Sequence, residues 1–190
     1  MNLLRFYLLA GLVAHKAVWE LLKRRVQTAA AASRRARPWP LLLVKTVKVG
    51  ILIGLVLQTF LPDVLPISEE SALLRSIGIA IFTAGLAIAI IARVQLDRNW
   101  SDIENAQILS DQTIISHGLY GYIRHPIYVG DLLLLFGFEL SLNSWLVMGV
   151  VLLTPVILWQ ATREEKKLAN TLPGYDHYRR STKRFIPFVI

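Results

Sequence analysis

The longest apolar stretch of the chain, from Ile127 to Trp159, most narrows what the chain can fold into. A helix that crosses a bilayer needs about 20 mostly apolar residues. The 33 residues of this stretch are too many for one such helix, and they allow two only with a short connection. Near its middle stands Ser141-Leu142-Asn143-Ser144, whose small polar residues favour a turn. The stretch therefore predicts a tight helical hairpin within a membrane.

Three earlier apolar stretches are further candidates for crossing a bilayer. They run from Leu3 to Leu22, from Val47 to Leu61 and from Ala72 to Ala92. The second reaches the required length when it begins near Leu41, with its two lysines extending toward the near interface. The sequence therefore predicts an all-α integral membrane protein with five transmembrane helices, of which the last two form the hairpin.

Composition excludes several other classes of protein and site. The chain is 54% hydrophobic and has a mean hydropathy of +0.49, which is too apolar for a soluble domain of this size. It contains no cysteine, and none of its four histidines forms an H-x-x-x-H pair, so no metal site is expected. The formal net charge of +8 is distributed between the apolar stretches, so no nucleic-acid partner is expected either.

The distribution of basic residues predicts the orientation. Segment 23–40 holds six Lys or Arg residues, segment 93–125 holds three, and the tail after Trp159 holds seven. The loops on the other side, 62–70 and 141–144, hold none. Because basic loops remain in the cytoplasm, we expect a multi-pass protein with its N-terminus outside and its C-terminus in the cytoplasm.

A polar segment rich in glycine and tyrosine, residues 112–130, leads directly into the hairpin. Gly118 and Gly121 allow tight turns, and Pro126 suits the first turn of a helix. His125 therefore lies where a cytosolic loop enters the membrane, a position that suits a site joining a water-soluble cofactor to a lipid-soluble substrate. Composition alone equally allows a structural interface segment whose tyrosines form an aromatic belt.

The exit of the last apolar stretch carries a second polar segment, Arg163-Glu164-Glu165-Lys166-Lys167-Leu168. Paired carboxylates among basic residues on a helix usually form a solvated face. Taken alone, this segment favours that interpretation.

Considered together, the two segments carry a series of motifs in a fixed order. They are Asn99-Trp100-Ser101, Gln107, Gly118-x-Tyr120, Arg124-His125-Pro126-x-Tyr128-x-Gly130, Glu164-Glu165-x-x-Leu168, Gly174-Tyr175-x-x-Tyr178 and Arg184-Phe185-Ile186-Pro187. This carboxy-terminal half of the chain resembles the isoprenylcysteine carboxyl methyltransferase family and the wider group of membrane methyltransferases that includes the phospholipid methyltransferases. Each motif is short, but their order, spacing and placement at membrane exits make the combination specific.

The resemblance implies methyl transfer from S-adenosyl-L-methionine, held in a cytosol-facing pocket formed by segment 93–125 and the C-terminal tail. Residues 1–92 would then be an N-terminal three-helix membrane part, and residues 93–190 the catalytic part. No G-x-G-x-x-G motif follows a strand, so a Rossmann-type site is not expected. The cofactor-binding positions that the resemblance implies are Gln107, Gln112, Thr113, Ile114, Ile115, Tyr120, His125, Pro126, Ile127, Tyr128 and Glu164.

The resemblance also assigns roles to individual residues. His125 is expected to hydrogen-bond the cofactor and Glu164 to meet its ribose side, and Arg163 and Glu164 are the residues expected to carry the reaction. The family often has an arginine one turn before Glu164, facing the substrate carboxylate, but here that position is Gln160. Arg163 is the candidate replacement, although it points about 100° away from Glu164 around the helix.

The acceptor is expected to reach the site from the bilayer, because one hairpin helix begins at the first segment and the other ends at the second. A carboxylate acceptor needs no base, whereas an amine must first lose a proton. Asp131 and Glu139 are the candidate bases, since ionisable residues inside a span suggest a function.

Three functions remain open. The leading hypothesis is O-methylation of a carboxylate on an isoprenylcysteine-like, prenylated or other lipophilic small-molecule acceptor. The second is N-methylation of the head group of a membrane phospholipid. The third is a non-catalytic membrane scaffold that keeps the same fold.

The predicted orientation can be tested by cysteine labelling, because the natural chain contains no cysteine. A Cys placed at Ser68 should react with a membrane-impermeant reagent from outside, and one placed at Ser33 should react only after the membrane is opened. The reverse pattern, or equal labelling of the two sites, would contradict the topology.

Overall fold

The chain is described by a computed structural model that covers residues 2–29, 39–99 and 113–188. These residues form α-helices and short 3-10 turns and no β-strand, which confirms the expected all-α class over the described ranges. The helices are α1 (Leu3–Ala29), α2 (Trp39–Gln58), α3 (Ala72–Leu96), α4 (Pro126–Ser141), α5 (Val147–Thr171) and α6 (Tyr175–Ser181). The 3-10 turns are Asp97–Asn99 and Gly118–Gly121.

The expected break in the long apolar stretch is present. α4 ends at Ser141 and α5 begins at Val147, so the turn lies where the small polar residues stand. α5 continues beyond Trp159 to Thr171, carrying the second polar segment on the same helix as the apolar residues. α1 and α3 also extend several residues past the ends of their apolar stretches.

Helices α3 and α4 are in backbone contact through glycines. A methyl group at Gly85 would lie 2.3 Å from the backbone nitrogen of Leu134, and one at Gly137 would lie 2.2 Å from that of Phe82. Such distances leave no room for a side chain, so the two helices pack as closely as backbones allow. This contact sets the position of the first turn of α4, where the His125 motif stands.

A small apolar core lies beside this contact. Its buried members are Leu8, Leu12, Leu55, Phe82, Leu134, Phe138 and Leu142. α1 crosses α3 here, and the Tyr7 hydroxyl hydrogen-bonds that of Thr83 at 2.7 Å. The core joins α1 and α2 to the α3–α4 pair, so the division of the chain at residue 92 remains a prediction.

Polar side chains hold together the opposite end of the bundle, where α2 ends and α4 turns into α5. Asp63 accepts hydrogen bonds from both Arg5 and Arg75. Gln58 donates from Nε2 to Oε2 of Glu139 at 2.9 Å, and both side chains are buried. The Glu139 side chain therefore contributes to the contacts between α2 and α4 at this end.

The surface of the bundle is strongly apolar. On α5, Leu152 is 75% exposed and Trp159 is 60% exposed, and α2 carries a similar row of exposed aliphatic side chains. Within the described ranges, α3 is the one helix that meets the length and composition requirements for crossing a membrane. The five-span arrangement therefore stays a prediction.

The closeness of α3 and α4 can be tested with a pair of glycine substitutions. Gly137→Ala should destabilise the protein by about 1–3 kcal/mol, because the new methyl group must push the two backbones apart. Gly149→Ala, on the exposed side of α5 with no atom within 4 Å of the new methyl group, is the matched control. Thermal unfolding in detergent should lower the Tm of the first variant only, and equal Tm values would contradict the close packing.

Candidate active site

A pocket opens at the end of the bundle where α3 ends, α4 begins, and α6 lies against the second half of α5. Apolar, aromatic and charged side chains share its lining. They are Leu96, Asn99, Thr113, Ile114, Ile115, Tyr120, Arg124, His125, Ile127, Tyr128, Glu164, Leu168, Leu172, Tyr175 and Tyr178.

The buried carboxylate of Glu165 organises one wall of this pocket. Its Oε1 accepts hydrogen bonds from Nε of Arg124 at 2.9 Å and Nε of Arg184 at 3.0 Å, and Nη2 of Arg184 donates to Oε2 at 2.8 Å. Nε2 of His125 lies 3.2 Å from the same Oε1. With 2% of its side chain exposed, Glu165 meets almost no water, so these groups provide its solvation.

The protonation of Glu165 follows from two opposing effects. Burial by itself would raise the pKa of the carboxyl group, but hydrogen bonds from His125, Arg184 and Arg124 outweigh it and hold the pKa well below its usual value. Glu165 is therefore a carboxylate, and it can only accept hydrogen bonds. Nε2 of His125 must then carry a hydrogen, which leaves Nδ1 as the acceptor in the neutral ring.

Glu164, the preceding residue, faces the pocket. The Tyr128 hydroxyl donates to Oε2 of Glu164 at 2.9 Å, and Nδ1 of His125 lies 3.9 Å from the same oxygen. The ring of His125 stacks on that of Tyr128, with centroids 5.3 Å apart and planes 13° from parallel. Adjacent residues on a helix point about 100° apart, so one carboxylate faces the pocket while the other is buried.

The C-terminal tail closes this end of the bundle through backbone pairing. The backbone N–H of Arg124 donates to the carbonyl of Lys183 at 2.8 Å, and that of His125 donates to the carbonyl of Arg184 at 3.2 Å. In return, Lys183 N–H donates to the carbonyl of Tyr122 at 3.1 Å. The Arg124 guanidinium also donates to carbonyls of the tail, one of them that of Arg179 at 3.0 Å. These hydrogen bonds hold the tail against the His125 motif.

Three buried tyrosines complete the pocket. The Tyr178 hydroxyl donates to the backbone carbonyl of Tyr120 at 2.8 Å, and Tyr175 packs edge-on against Tyr178. Burial is the main cause that raises the pKa of Tyr178 to about 12, and burial likewise raises the pKa of Tyr120 and Tyr175. All three phenols are therefore neutral near pH 7.

The structure brings most of the cofactor-binding positions implied by the motifs into this one lining. Those present are Thr113, Ile114, Ile115, Tyr120, His125, Ile127, Tyr128 and Glu164, and the buried Pro126 begins α4 beside them. Gln107 and Gln112 lie outside the described residues.

The residues predicted to meet the acceptor do not line the described part of the pocket. Arg163 is exposed, with its guanidinium 4.7 Å from the ring centroid of Trp159, and Gln160 is partly exposed one turn before Glu164. Asp131 hydrogen-bonds His15, and Glu139 lies at the opposite end of the bundle. Their roles at the acceptor stay predictions.

Several residues that shape the pocket have no role implied by the resemblance. Arg124, Glu165, Arg184, Tyr175 and Tyr178 all stand within the quoted motifs, yet none had been assigned a role. A signal for them exists in the sequence, since a paired carboxylate with arginines in two distant motifs is consistent with a buried ion cluster. Because such carboxylate pairs usually form a solvated face, the sequence did not predict the burial of Glu165.

The pocket fits the chemistry of a nucleoside that carries a sulfonium. Ile114, Ile127 and Leu168 offer apolar surface for a base, and the partly exposed carboxylate of Glu164 offers acceptors for hydroxyl groups and a negative charge for a cation. Arg124, the one Lys or Arg among the described lining residues, shares the carboxylate of Glu165 with Arg184. Glu164 is therefore the carboxylate that faces the pocket and can meet a cation.

Comparison with known proteins gives a family match. The model of the phospholipid methyltransferase family matches residues 73–172, which is 100 of the 190 residues. The matched region contains α3, α4 and α5, and with them the His125 motif and both carboxylates.

Two curated relatives match parts of the chain. A protein-S-isoprenylcysteine O-methyltransferase of Schizosaccharomyces pombe is 29% identical over 104 residues, covering 52% of this chain and 43% of the relative. The cobalt-zinc-cadmium resistance protein CzcN of Cupriavidus metallidurans is 32% identical over 79 residues, covering 40% and 37%. The chain thus matches less than half the length of either relative.

The fold is similar to that of a solved structure, the eukaryotic intramembrane Ras methyltransferase isoprenylcysteine carboxyl methyltransferase. The TM-score is 0.61 at 20% identity, and the alignment covers 100% of this chain and 69% of that one.

Removing the charge of Glu165 should loosen the tail. Glu165→Gln leaves Arg124, which is 9% exposed, and Arg184, which is 34% exposed, without their carboxylate, and this should cost up to about 3–5 kcal/mol of stability. Glu164→Gln is the matched control and should cost much less, because Glu164 is 31% exposed. Hydrogen exchange of residues 175–184 should accelerate in the first variant only.

The same carboxylate predicts how tail docking responds to acid. Because the folded-state pKa of Glu165 is depressed, its contribution is fully present above the ordinary glutamate pKa of about 4.3 and is lost only as pH falls further, through the folded-state value. Loss of tail protection already at pH 6 would contradict this assignment.

Proposed function

Because the chain belongs to the phospholipid methyltransferase family, we propose that it transfers a methyl group from S-adenosylmethionine to a lipophilic acceptor at a membrane. The match confirms the resemblance to membrane methyltransferases that the motifs carry. The observation that carries the proposal is the cluster of His125, Tyr128 and Glu164 in the pocket lining, in which the buried Glu165 fixes His125 and Tyr128 fixes Glu164.

When bound, S-adenosylmethionine supplies a methyl carbon on a positively charged sulfur. Glu164 would lie near the ribose hydroxyls or the positive charge, with Tyr128 donating to the same carboxylate to fix its direction. Nδ1 of His125 is free to accept from the ligand, because Glu165 holds the ring by Nε2. Such a prepared arrangement lowers the entropic cost of aligning the reactants.

Exclusion of water is the second contribution of the chain. The tail pairs with Arg124 and His125 beside the pocket, and the tyrosines Tyr120, Tyr175 and Tyr178 line it. A nucleophile and a sulfonium that lose their water shells in such a site react faster when fixed dipoles replace the solvent. The tail is therefore proposed as a structural part of the active site.

The acceptor is proposed to reach this pocket from the bilayer. α4 leads away from His125, and the first half of α5 leads away from Glu164. The apolar side chains of α5 are exposed, and those of α4 are buried or partly buried. An apolar tail could lie along these helices while its head group reaches the pocket. The protein would thus be an integral membrane enzyme whose pocket faces the cytoplasm.

Two classes of acceptor are proposed, each supported by a different observation. A carboxylate on an isoprenylcysteine-like molecule is supported by the similarity to the Schizosaccharomyces pombe enzyme, whose name states that chemistry. An amine on a phospholipid head group is supported by the family description and by the partly exposed carboxylate of Glu164 in the lining.

Binding of the cofactor can be measured directly by calorimetry on the purified protein. His125→Ala and Glu164→Ala should each weaken the binding of S-adenosylmethionine by about 1–3 kcal/mol, because each removes a hydrogen-bonding partner inside the pocket. Asp176→Ala removes an exposed carboxylate from α6 and is the matched control. Absence of binding to the natural protein, or unchanged affinity in both pocket variants, would favour the non-catalytic scaffold.

A further inference from the structure

A histidine–carboxylate pair lies between α1 and α4. Nε2 of His15 is 2.9 Å from Oδ1 of Asp131, and the imidazole stacks on Trp19 with ring centroids 4.1 Å apart. The side chains of His15 and Asp131 are 22% and 35% exposed. The two residues belong to helices far apart in the chain, so the fold alone creates the pair.

The pair lies next to the pocket. Asp131 is four residues after Ile127 on α4, which places it one turn farther along the same side of the helix, and Ile127 lines the pocket. The Tyr120 phenol gives a second indication. Burial is the main cause of its raised pKa, and the negative charges of Glu164 and Asp131 add to it. Glu164 and Asp131 are thus both close enough to affect the same pocket residue.

A purely structural role explains this pair poorly. Ion pairs with this degree of exposure contribute little to stability, and ionisable residues on helices with apolar surfaces are costly. The core nearby is held by apolar contacts that do not need either side chain. The pair therefore calls for a chemical explanation.

Hydrogen bonding leaves the pair able to take up one proton. A carboxylate only accepts, so Nε2 of His15 carries the hydrogen that faces Oδ1, and Nδ1 of the neutral ring keeps a lone pair. Among the described residues, none hydrogen-bonds Oδ2 of Asp131. The pair thus offers a negative oxygen to a cation and a nitrogen that can become protonated beside a balancing charge.

We propose that the His15–Asp131 pair binds the ammonium head of a lipid acceptor and removes its proton before methyl transfer. The proposal rests on the proposed function and commits it to an amine on an apolar tail. The other candidate base, Glu139, lies with Gln58 at the far end of the bundle, and Glu164 is engaged by Tyr128.

The step balances without a further reactant. The ammonium N–H proton passes to the pair, which changes His15 from imidazole to imidazolium beside the Asp131 carboxylate. The freed nitrogen lone pair forms the new N–C bond, and the C–S bond breaks with its electron pair passing to sulfur. The products are a methylated ammonium and a neutral thioether. One proton then leaves His15 for solvent.

The test compares two acceptors in phosphatidylcholine vesicles that contain the full-length protein and labelled S-adenosylmethionine. One acceptor is phosphatidylethanolamine, whose amine is protonated near pH 7. The other is a lipid O-alkyl hydroxylamine, whose amine is uncharged at that pH and needs no base. His15→Gln should lower kcat for phosphatidylethanolamine by about a hundredfold or more and leave its KM unchanged, because proton removal is lost. The loss with the hydroxylamine should be much smaller.

Two further variants sharpen the result. The double variant His15→Gln with Asp131→Asn should lose no more kcat than the more damaging single change, because residues that act as a unit are not additive. His177→Gln, at an exposed position of α6 outside the pocket, is the matched control and should change neither acceptor.

The possible failures are distinguishable. Equal losses for both acceptors, or an unchanged kcat in His15→Gln, would overturn the proton-acceptor role while cofactor binding and methyl transfer stand. Methylation of S-farnesylcysteine but not of phosphatidylethanolamine by the natural protein would overturn the commitment to an amine. Failure of the natural protein to bind S-adenosylmethionine would remove the proposed function and this proposal together.

Discussion

The carboxylate of Glu165 is the group on which the candidate site depends. It is almost completely buried, and it is solvated by Arg124 and His125 of one motif and by Arg184 of another. A buried charge of this kind is stable only while its partners remain in place. Docking of the tail, the orientation of the His125 ring and the direction of Glu164 are therefore coupled. A change in any one of them would leave a buried charge without its hydrogen-bonding partners.

The helical bundle supplies the rigid frame for this cluster. Glycines at the α3–α4 contact bring the two backbones together, so the first turn of α4 is fixed relative to the end of α3. α5 runs back from the hairpin turn and places both carboxylates beside the start of α4. The pocket thus forms where α3 ends, α4 begins and α6 lies against α5, and the tail beside it pairs by backbone hydrogen bonds, which do not depend on the identity of the side chains.

Charge around the pocket bears on the chemistry. Glu164 faces the pocket and Asp131 stands on α4 one turn after Ile127 of the lining, while Glu165 is paired with both Arg124 and Arg184. A cationic cofactor and a cationic acceptor would both find complementary charge there, and the loss of a proton from the acceptor would relieve the repulsion between them before bond formation. Such pairing of opposite charges gives specificity as well as affinity.

The sequence by itself determined the helical class and the position of the hairpin turn, because apolar stretches and turn residues are local properties of the chain. The resemblance carried by its motifs implied about half of the pocket lining. Only the tertiary structure decided which of two adjacent carboxylates is buried, since neighbouring residues on a helix point about 100° apart and the tail selects one of them. It likewise joined His15 to Asp131 and placed Glu139 beside Gln58. Those partners stand between 81 and 116 residues apart in the chain, and such separations leave no trace in local sequence pattern.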